Sequence, residues 1–579
     1  MSRSVLAILL CLSMLTICLP IGATAPPTGW NGPEPLSSQA SSFSSPDLYQ
    51  LDDGRAVMAW GQWNEAVGMN VPHVSFYDPA SGWEEPTTVG RGKQDCQSVR
   101  CLLQENGSAM VVSVYSLGTG DMTLSVSVYA PEVGWKLDHQ LVGKTASIGD
   151  VRLAQLPGGS FLLAWTESDG SHSMVRYSTW SWEDGWSELQ DLAGDLLDSA
   201  SLADLDLRPD GTGMALLVEN NAGLWTAYAS FRSPNGSWTV PSPVTQDNIG
   251  GRIVGANTAG SGAVAVYTTN GNRELWAVSW HDGWSAPEQL FSSSTAYSVE
   301  HHLDVNQAGQ GLLVQRRTAD QIGYYAIAFN GGTWGQWERV SPELPYGSSW
   351  TSDFVVDVNS AGEGVVAFRG SDIGLGRLDH YANLYSPSSG WQGPERISRA
   401  LPFGGENVPS SASIDPSGNV LYGFVARSNL ISPVSSDRLY VNTYHVEDKT
   451  PPRLVVSSPA PMERVNVSSV VVSGTTDPDA KVIVAGIELA VDAGGNFQGR
   501  VPVVPGENRL SVTAVDEHGN QATVDFTVFF DDPLQEELAQ ARHDLGSLKG
   551  QGLLYLGLAS AAMVVGALGV LLYLRGRKA

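Results

Sequence analysis

The feature that most constrains this chain is an internal repeat of about fifty residues, a period at which each unit is one supersecondary element. A Gly-Trp-like turn recurs at Trp30 (TGW), Trp83 (SGW), Trp135 (VGW), Trp186 (DGW), Trp238 (GSW), Trp284 (DGW), Trp334 (GTW) and Trp391 (SGW), at intervals of 46 to 57 residues. Between these markers lies a second one, a turn glycine followed by an apolar run. Its glycines are Gly54, Gly107, Gly159, Gly211, Gly260, Gly309, Gly362 and Gly418, as in DDGRAVMAW, PGGSFLLAW and AGEGVVAF.

Each unit reads as four short strands. One precedes the turn glycine (ADLDLRPDG) and the second follows it. The third is rich in aromatic and β-branched residues (HVSFYDP, LWTAYASF, LYVNTYHV), and the Gly-Trp turn opens the fourth (WEEPTTV, WSAPEQL). Period-two apolar patterning with Gly, Asn, Asp and Pro punctuation indicates strands, and no repeat carries a helical period. Four strands at this period indicate a β-propeller. The series begins with a lone Gly-Trp strand at Trp30 and ends with a unit after Gly418 that has none of its own. The N-terminal strand is therefore expected to complete the last blade over residues 27–448, removing the edges an open sheet would leave. The count gives eight blades; seven or nine would require one unit to be false. The tryptophans are expected to pack against neighbouring blades, with a sugar-stacking array as the sharper alternative.

The pattern changes at Asp448-Lys449-Thr450-Pro451-Pro452, a stiff boundary. Residues 451–531 carry about seven short strands separated by turns such as DPDA and DEHGN, as in a small β-sandwich. PLQEELAQARHDLGSLKG, within 532–551, places Leu534, Leu538, Ala541, Leu545 and Leu548 on one helical stripe. Residues 552–574 contain no charge and make about 35 Å of helix, enough for a hydrocarbon core of about 30 Å. Arg575, Arg577 and Lys578 follow, and basic residues stay inside. At the other end, Arg3 and the apolar run 5–19 read as a signal peptide (1–25), cleaved after Ala23 or Ala25; Cys18 leaves a lipoprotein alternative. The expected topology is an extracellular body, one span over 552–574 and a cytoplasmic tail over 575–579. Two heptads and the small-residue pairs Gly557/Ala561 and Ala562/Gly566 leave a weak homodimer open beside a monomeric helix.

Two resemblances follow from these residues. SPNGSW at Trp238 and FNGGTW at Trp334 resemble degenerate Asp-box turns, Ser-x-Asp-x-Gly-x-x-Trp, of sialidase-like propellers, with the Asp missing from most copies. The run SGTTDPDAKVIVAGIELAVDAGGNFQGRVPVVPGENRLSVTAVDEHGNQATV resembles bacterial Ig-like modules found beside sugar-active domains. The resemblances imply a prokaryotic cell-surface protein whose sandwich serves as spacer or accessory. The fold class expected is all-β: an eight-bladed propeller and an Ig-like sandwich, then a C-terminal transmembrane helix.

Lys and Arg number 33 against 60 Asp and Glu, a net charge of −27, so nucleic acid and anionic lipid are repelled. Outside the leader only Cys96 and Cys101 remain; an oxidising exterior favours a small disulfide between them, with two buried thiols as the alternative. Asn106, Asn235 and Asn466 occupy glycosylation sequons. No cofactor is expected. Calcium at Asp477 and Asp479 is weighed against ordinary turn roles for those residues.

Propeller ligands bind where the innermost strands begin. Seven residues before each turn glycine stand Asp47, Arg100, Arg152, Asp204, Ile253, His302, Val355 and Ser411, and the next residue in every copy is apolar or Cys. Asp47, Arg100, Arg152, Asp204 and His302 are therefore the candidate channel-mouth ligands, the arginines for a carboxylate and the others for hydroxyls. The alternative is a polar network around water. A sialidase-like mechanism would need three arginines, a Tyr–Glu pair and an acid Asp. Only two equivalent arginines occur, and no catalytic motif is recognisable. The expectation is a membrane-anchored binding or adhesion protein for a glycan or protein, more a binder than an enzyme, with a surface glycan-processing hydrolase as the alternative.

Overall fold

A computed structural model describes residues 29–576, except 45, 91–93, 246–247, 251, 296–297, 319–321, 344–348, 373–376, 399–400, 402–409, 428–436, 447–450, 479, 493 and 517–518. The expected signal peptide, Asp479, Arg577 and Lys578 lie outside the described residues. The chain forms two compact units, Pro27–Val446 and the part from Glu447 onward.

The first unit is eight antiparallel sheets, each a four-strand meander. Their innermost strands, in ring order as blades 1 to 8, are Asp47–Gln50, Asp95–Leu103, Ser147–Leu156, Ala200–Leu207, Ile253–Asn257, Ser298–Val305, Ser349–Val358 and Ser411–Ile414. Each touches the next in order, and the last touches the first. Gly29 and Trp30 pair with His445 and Tyr444, so the outermost strand of blade 8 comes from the N-terminal end. Leu48 N–H also donates to Ser411 Oγ at 3.1 Å across the same seam.

Strand order follows from burial. The second strand of each blade is covered on both faces by neighbouring blades, so it reads as an unbroken apolar run rather than an alternation. Ala56–Gln62 is buried throughout, as is Phe161–Thr166. Inter-blade layers result: Met110 and Val112 of blade 2 meet Phe161, Leu163 and Trp165 of blade 3 in one cluster. Each such large side chain contributes about 1.5–3 kcal/mol by leaving water. The apolar position after the channel-mouth residue joins these layers in every blade, as with Leu153, Leu205 and Val356. All eight turn glycines have φ between +68° and +87°, a left-handed conformation that a Cβ disfavours. The Gly-Trp tryptophans pack across blades as expected: Trp135 on Phe76, Trp186 on His139, Trp238 on Tyr177 and Trp284 on Phe231, with centroids 6.1–6.4 Å apart.

Cys96 and Cys101 are buried free thiols, not a disulfide. Both lie on the single strand Asp95–Leu103, five residues apart, which spans about 16 Å at the strand rise and far exceeds disulfide reach. A bulge between Cys96 and Ser98 turns both sulfurs into the same core between blades 1 and 2.

In the second unit a three-stranded sheet (Leu454–Ser458, Ser469–Thr476, Asn496–Pro502) and a five-stranded one (Glu463–Val465, Lys481–Val484, Ile487–Leu489, Gly506–Val515, Gln521–Phe530) share one apolar core around Val472, Val482, Val512 and Val528. A helix, Pro533–Gly576, includes a segment long and apolar enough to cross a membrane. Its apolar side chains are exposed, Leu545 and Leu568 among them.

Candidate functional site

The residues seven before the turn glycines line two adjoining cavities, and the residue after each is claimed by inter-blade packing. Asp47, Arg100, Arg152 and His302 line one cavity of about 690 Å³. Asp204 lines an adjoining cavity of about 350 Å³, which shares Arg152, Arg252 and His302 with the first. The five sequence candidates thus surround connected space at one end of the channel.

The structure adds Arg252, Glu300, Asp353, Arg369 and Ser410 to the lining. Strict counting back from the turn glycine misses them for a physical reason. Where the counted position is apolar, at Ile253 and Val355, the polar group sits one or two residues upstream, at Arg252 and Asp353. Bulges between Ser298 and Glu300 and between Trp350 and Phe354 shift the register there. Arg369 is on a second strand, at the end of the buried run VVAFRG, where its charge gives no period signal.

These groups form acid–base pairs spaced around the ring. Arg100 Nη1 is 3.9 Å from Asp47 Oδ1, and Arg152 Nε is 3.6 Å from Asp204 Oδ1. Arg252 Nη1 is 3.5 Å from Glu300 Oε1, and Arg369 Nη1 is 3.8 Å from Asp353 Oδ2. The first three pairs join blades 1–2, 3–4 and 5–6. In the fourth, both partners belong to blade 7, and Asp353 reaches blade 8 by accepting the Ser410 N–H at 3.0 Å. Four guanidiniums meet four carboxylates; Arg316 Nε adds a further base 3.8 Å from Glu300 Oε2 and Asp150 a further acid in the adjoining cavity, so acid and base are near balance in a strongly acidic chain.

The acids also hold the ring together. Asp47 Oδ2 accepts the Cys101 N–H at 2.8 Å, and Asp204 Oδ2 accepts the Gly255 N–H at 3.2 Å. The arginines anchor to carbonyls: Arg100 on Val99 at 2.8 Å, Arg152 on Ala203 at 3.2 Å. Burial pushes the Asp47 carboxyl up against the pull of Arg100, and burial likewise raises Asp353 against Arg369. Burial, then Arg252 and Arg152, push the His302 imidazole down to about 4, so it is neutral at pH 7. Its ring meets Phe354 with centroids 4.5 Å apart.

A second axial cavity of about 650 Å³ shares Leu48 and Tyr49 with the first and is lined by Asp206, Asp304 and Asp357. These carboxylates accept the N–H groups of Asn257 (2.6 Å), Val358 (2.6 Å) and Ile414 (2.8 Å), each on the following blade. Burial pushes Asp206 up to about 6, while burial and the neighbouring Asp357 hold Asp304 well above the usual carboxylate range. This end is a set of inter-blade staples.

Among the described residues no cluster of His, Cys, Asp or Glu is arranged to hold a metal ion. Asp477 Oδ2 accepts the Arg453 N–H at 3.0 Å, a turn role. The sequon residues Asn106, Asn235 and Asn466 are all exposed.

The glucodextranase domain B family model matches residues 452–532, the sandwich. No curated protein matches the sequence. Among solved structures, the BP39L lectin from Burkholderia pseudomallei is 14% identical, with 61% of this chain and 99% of that one covered and a TM-score of 0.38. The α-L-arabinofuranosidase Arb93A of Fusarium graminearum is 10% identical over 52% of this chain and 97% of its own, with a TM-score of 0.34. A Hadza microbial sialidase, Hz136, is 12% identical over 48% of this chain and 63% of its own, with a TM-score of 0.30. Superpositions this loose transfer no residue role; the propeller is read from its own strand pairing, and the chain is similar to glucodextranase domain B over its sandwich.

Proposed function

We propose that the chain is a membrane-anchored surface protein whose propeller binds a neutral polyhydroxylated ligand, a glycan free or on a protein, at the channel mouth. The observation that carries this reading is the set of four guanidinium–carboxylate pairs around two adjoining cavities of about 690 and 350 Å³. The pairs stand 3.5–3.9 Å apart, longer than the 2.7–2.9 Å or so of a closed charge-assisted hydrogen bond. The three half-exposed pairs of Arg100, Arg152 and Arg252 are open donor–acceptor couples that adjacent hydroxyls bridge, accepting from the guanidinium and donating to the carboxylate, while Arg369 and Asp353 lie buried behind them. Tyr49, Phe354 and neutral His302 add ring surface for the apolar face of a sugar. The close matching of acids and bases at the mouth favours neutral ligands over polyanions. The match of residues 452–532 to domain B of glucodextranase supports the carbohydrate class. The anchor is the helix over 552–574, with the propeller outside the cell.

A second reading, a surface glycan-processing enzyme, is favoured by one observation: Asp47 and Asp353 titrate above the usual range, as a general acid must. A glycan array with a parallel hydrolysis assay on the detergent-solubilised chain separates the two. Binding without turnover, lost in Arg152→Ala, supports the binder. Turnover abolished by Asp47→Asn replaces it with the enzyme.

A further inference from the structure

The repeat has one departure that the channel mouth does not explain. In each blade one residue of the third strand bridges the Gly-Trp tryptophan. In seven blades it is aromatic, as with Tyr77 opposite Trp83, Trp180 opposite Trp186 and Phe329 opposite Trp334. In blade 4 it is Arg232, opposite Trp238. A charged side chain thus replaces a ring at a position that otherwise packs.

Arg232 lines a cavity of about 420 Å³ between blades 3 and 4, together with Trp180, Trp186, Ser181, Asp184 and Asp210. That volume falls within the range of about 300–1,000 Å³ usual for small-molecule sites. Arg232 Nη1 donates to the Gly211 carbonyl at 2.6 Å, and Nη2 lies against Gly236, where an added Cβ would stand 3.0 Å away. Its Nε is buried and has no hydrogen-bond partner. Burial pulls its pKa down against Tyr177, and among the described residues no carboxylate forms an ion pair with it. By contrast, the channel-mouth arginines Arg100, Arg152, Arg252 and Arg369 each face an acid. The carboxylates nearest this cavity are committed to their own turns. Asp210 Oδ1 accepts both the N–H and the hydroxyl of Thr212, and Asp184 Oδ2 accepts the Ser181 hydroxyl at 3.4 Å.

A half-buried guanidinium without a counter-ion, beside two indoles, suits a ligand that brings a carboxylate and a ring together. We propose that the cleft between blades 3 and 4 is a second binding site, for an acidic monosaccharide of the uronate class. Its carboxylate meets the Nη end of the Arg232 guanidinium, its ring lies against Trp186 and the edge of Trp180, and its hydroxyls reach the rim acids. Arg152 has no part in it, so this site stands or falls apart from the channel mouth.

The test is calorimetric titration of the full chain in detergent, made in a host without N-glycosylation because Asn235 also lines the cleft. The probes are methyl β-glucuronide and its uncharged counterpart, methyl β-glucoside. Glucuronide binding is expected to exceed glucoside binding by about tenfold or more and to fall by a similar factor in Arg232→Gln, the loss of one charge-assisted fork. Ser181→Asp keeps Arg232 and keeps an acceptor for the Asp184 N–H but sets a like charge against the ligand. It is expected to weaken binding comparably, even if Arg232→Gln fails to fold. Arg464→Gln, on the sandwich, should leave the affinity unchanged, and Arg152→Gln reports on the channel mouth instead. The proposal is overturned if the wild type binds no glucuronide, if the two probes bind equally, if Ser181→Asp binds as wild type, or if only Arg152→Gln abolishes binding.

Discussion

Arg152 and Asp204 face each other at 3.6 Å from adjacent blades, yet they are tied into the fold unequally. Asp204 accepts the backbone N–H groups of Gly255 and Leu205, whereas Arg152 donates only to carbonyls beside the channel. Removing the acid leaves buried donors without a partner; removing the base leaves a carboxylate that water reaches. Asp204→Ala is expected to cost about 1–3 kcal/mol of stability. Arg152→Ala should cost less than about 1 kcal/mol, as half-exposed ion pairs do. Urea denaturation of both variants checks this. Equal losses would mean that the arginine is as structural as the acid.

The opposite end of the channel gives a pH prediction. Asp206 titrates near 6 in the fold because of burial, against an ordinary value of 3.8. Between those values the folded state binds more protons than the unfolded one. This group therefore contributes less stability as pH rises through about 6, by on the order of 2 kcal/mol across the window. Asp206→Asn keeps an acceptor for the Asn257 N–H and does not titrate. Relative to wild type it should gain stability between pH 4 and pH 7.5, measured by urea midpoints at both values. Parallel pH profiles for the two proteins would contradict this.

Blade 8 depends on its borrowed strand. Trp30 packs against the core of blades 7 and 8 and tilts onto Tyr444 with centroids 5.5 Å apart. Trp30→Ala should cost about 2–3 kcal/mol, somewhat below the 3–5 of a fully buried tryptophan. It should also raise amide exchange first in Asp437–His445. Uniform exchange across all blades would argue against closure by this strand.

The thiols are predicted to be inert. Burial pushes Cys96 up to about 12 and Cys101 well above the ordinary thiol value, with Asp95 and Asp47 adding to each. Neither should react with an alkylating reagent until the chain is unfolded, and reductant should leave the melting temperature unchanged. A drop in melting temperature on reduction would indicate a disulfide after all.

Much of this architecture was legible from two markers per repeat. The turn glycines report a left-handed backbone, the Gly-Trp tryptophans an inter-blade layer, and the residue after each channel-mouth position an apolar contact. The disulfide expectation rested on an oxidising exterior alone and failed because both cysteines lie on one extended strand, too far apart along it to bond. A bulge also places Cys96 and Cys101 on the same face, which period-two reasoning assigns to opposite faces. The mouth was half legible. Asp47, Arg100, Arg152, Asp204 and His302 follow from counting, whereas Glu300 and Asp353 sit across bulges. Arg369 is hidden in an apolar run because its partner, Asp353, is a neighbour only in the folded sheet.

The most direct measurement of the central claim is a crystal structure of the chain with the glycan that binds it most tightly on an array. Sugar density is expected in the cavity bounded by Arg100, Arg152, Arg252 and His302, with ring hydroxyls bridging at least one guanidinium–carboxylate pair. Density confined to the outer faces of the blades or to the sandwich, with the channel mouth unchanged, would contradict it.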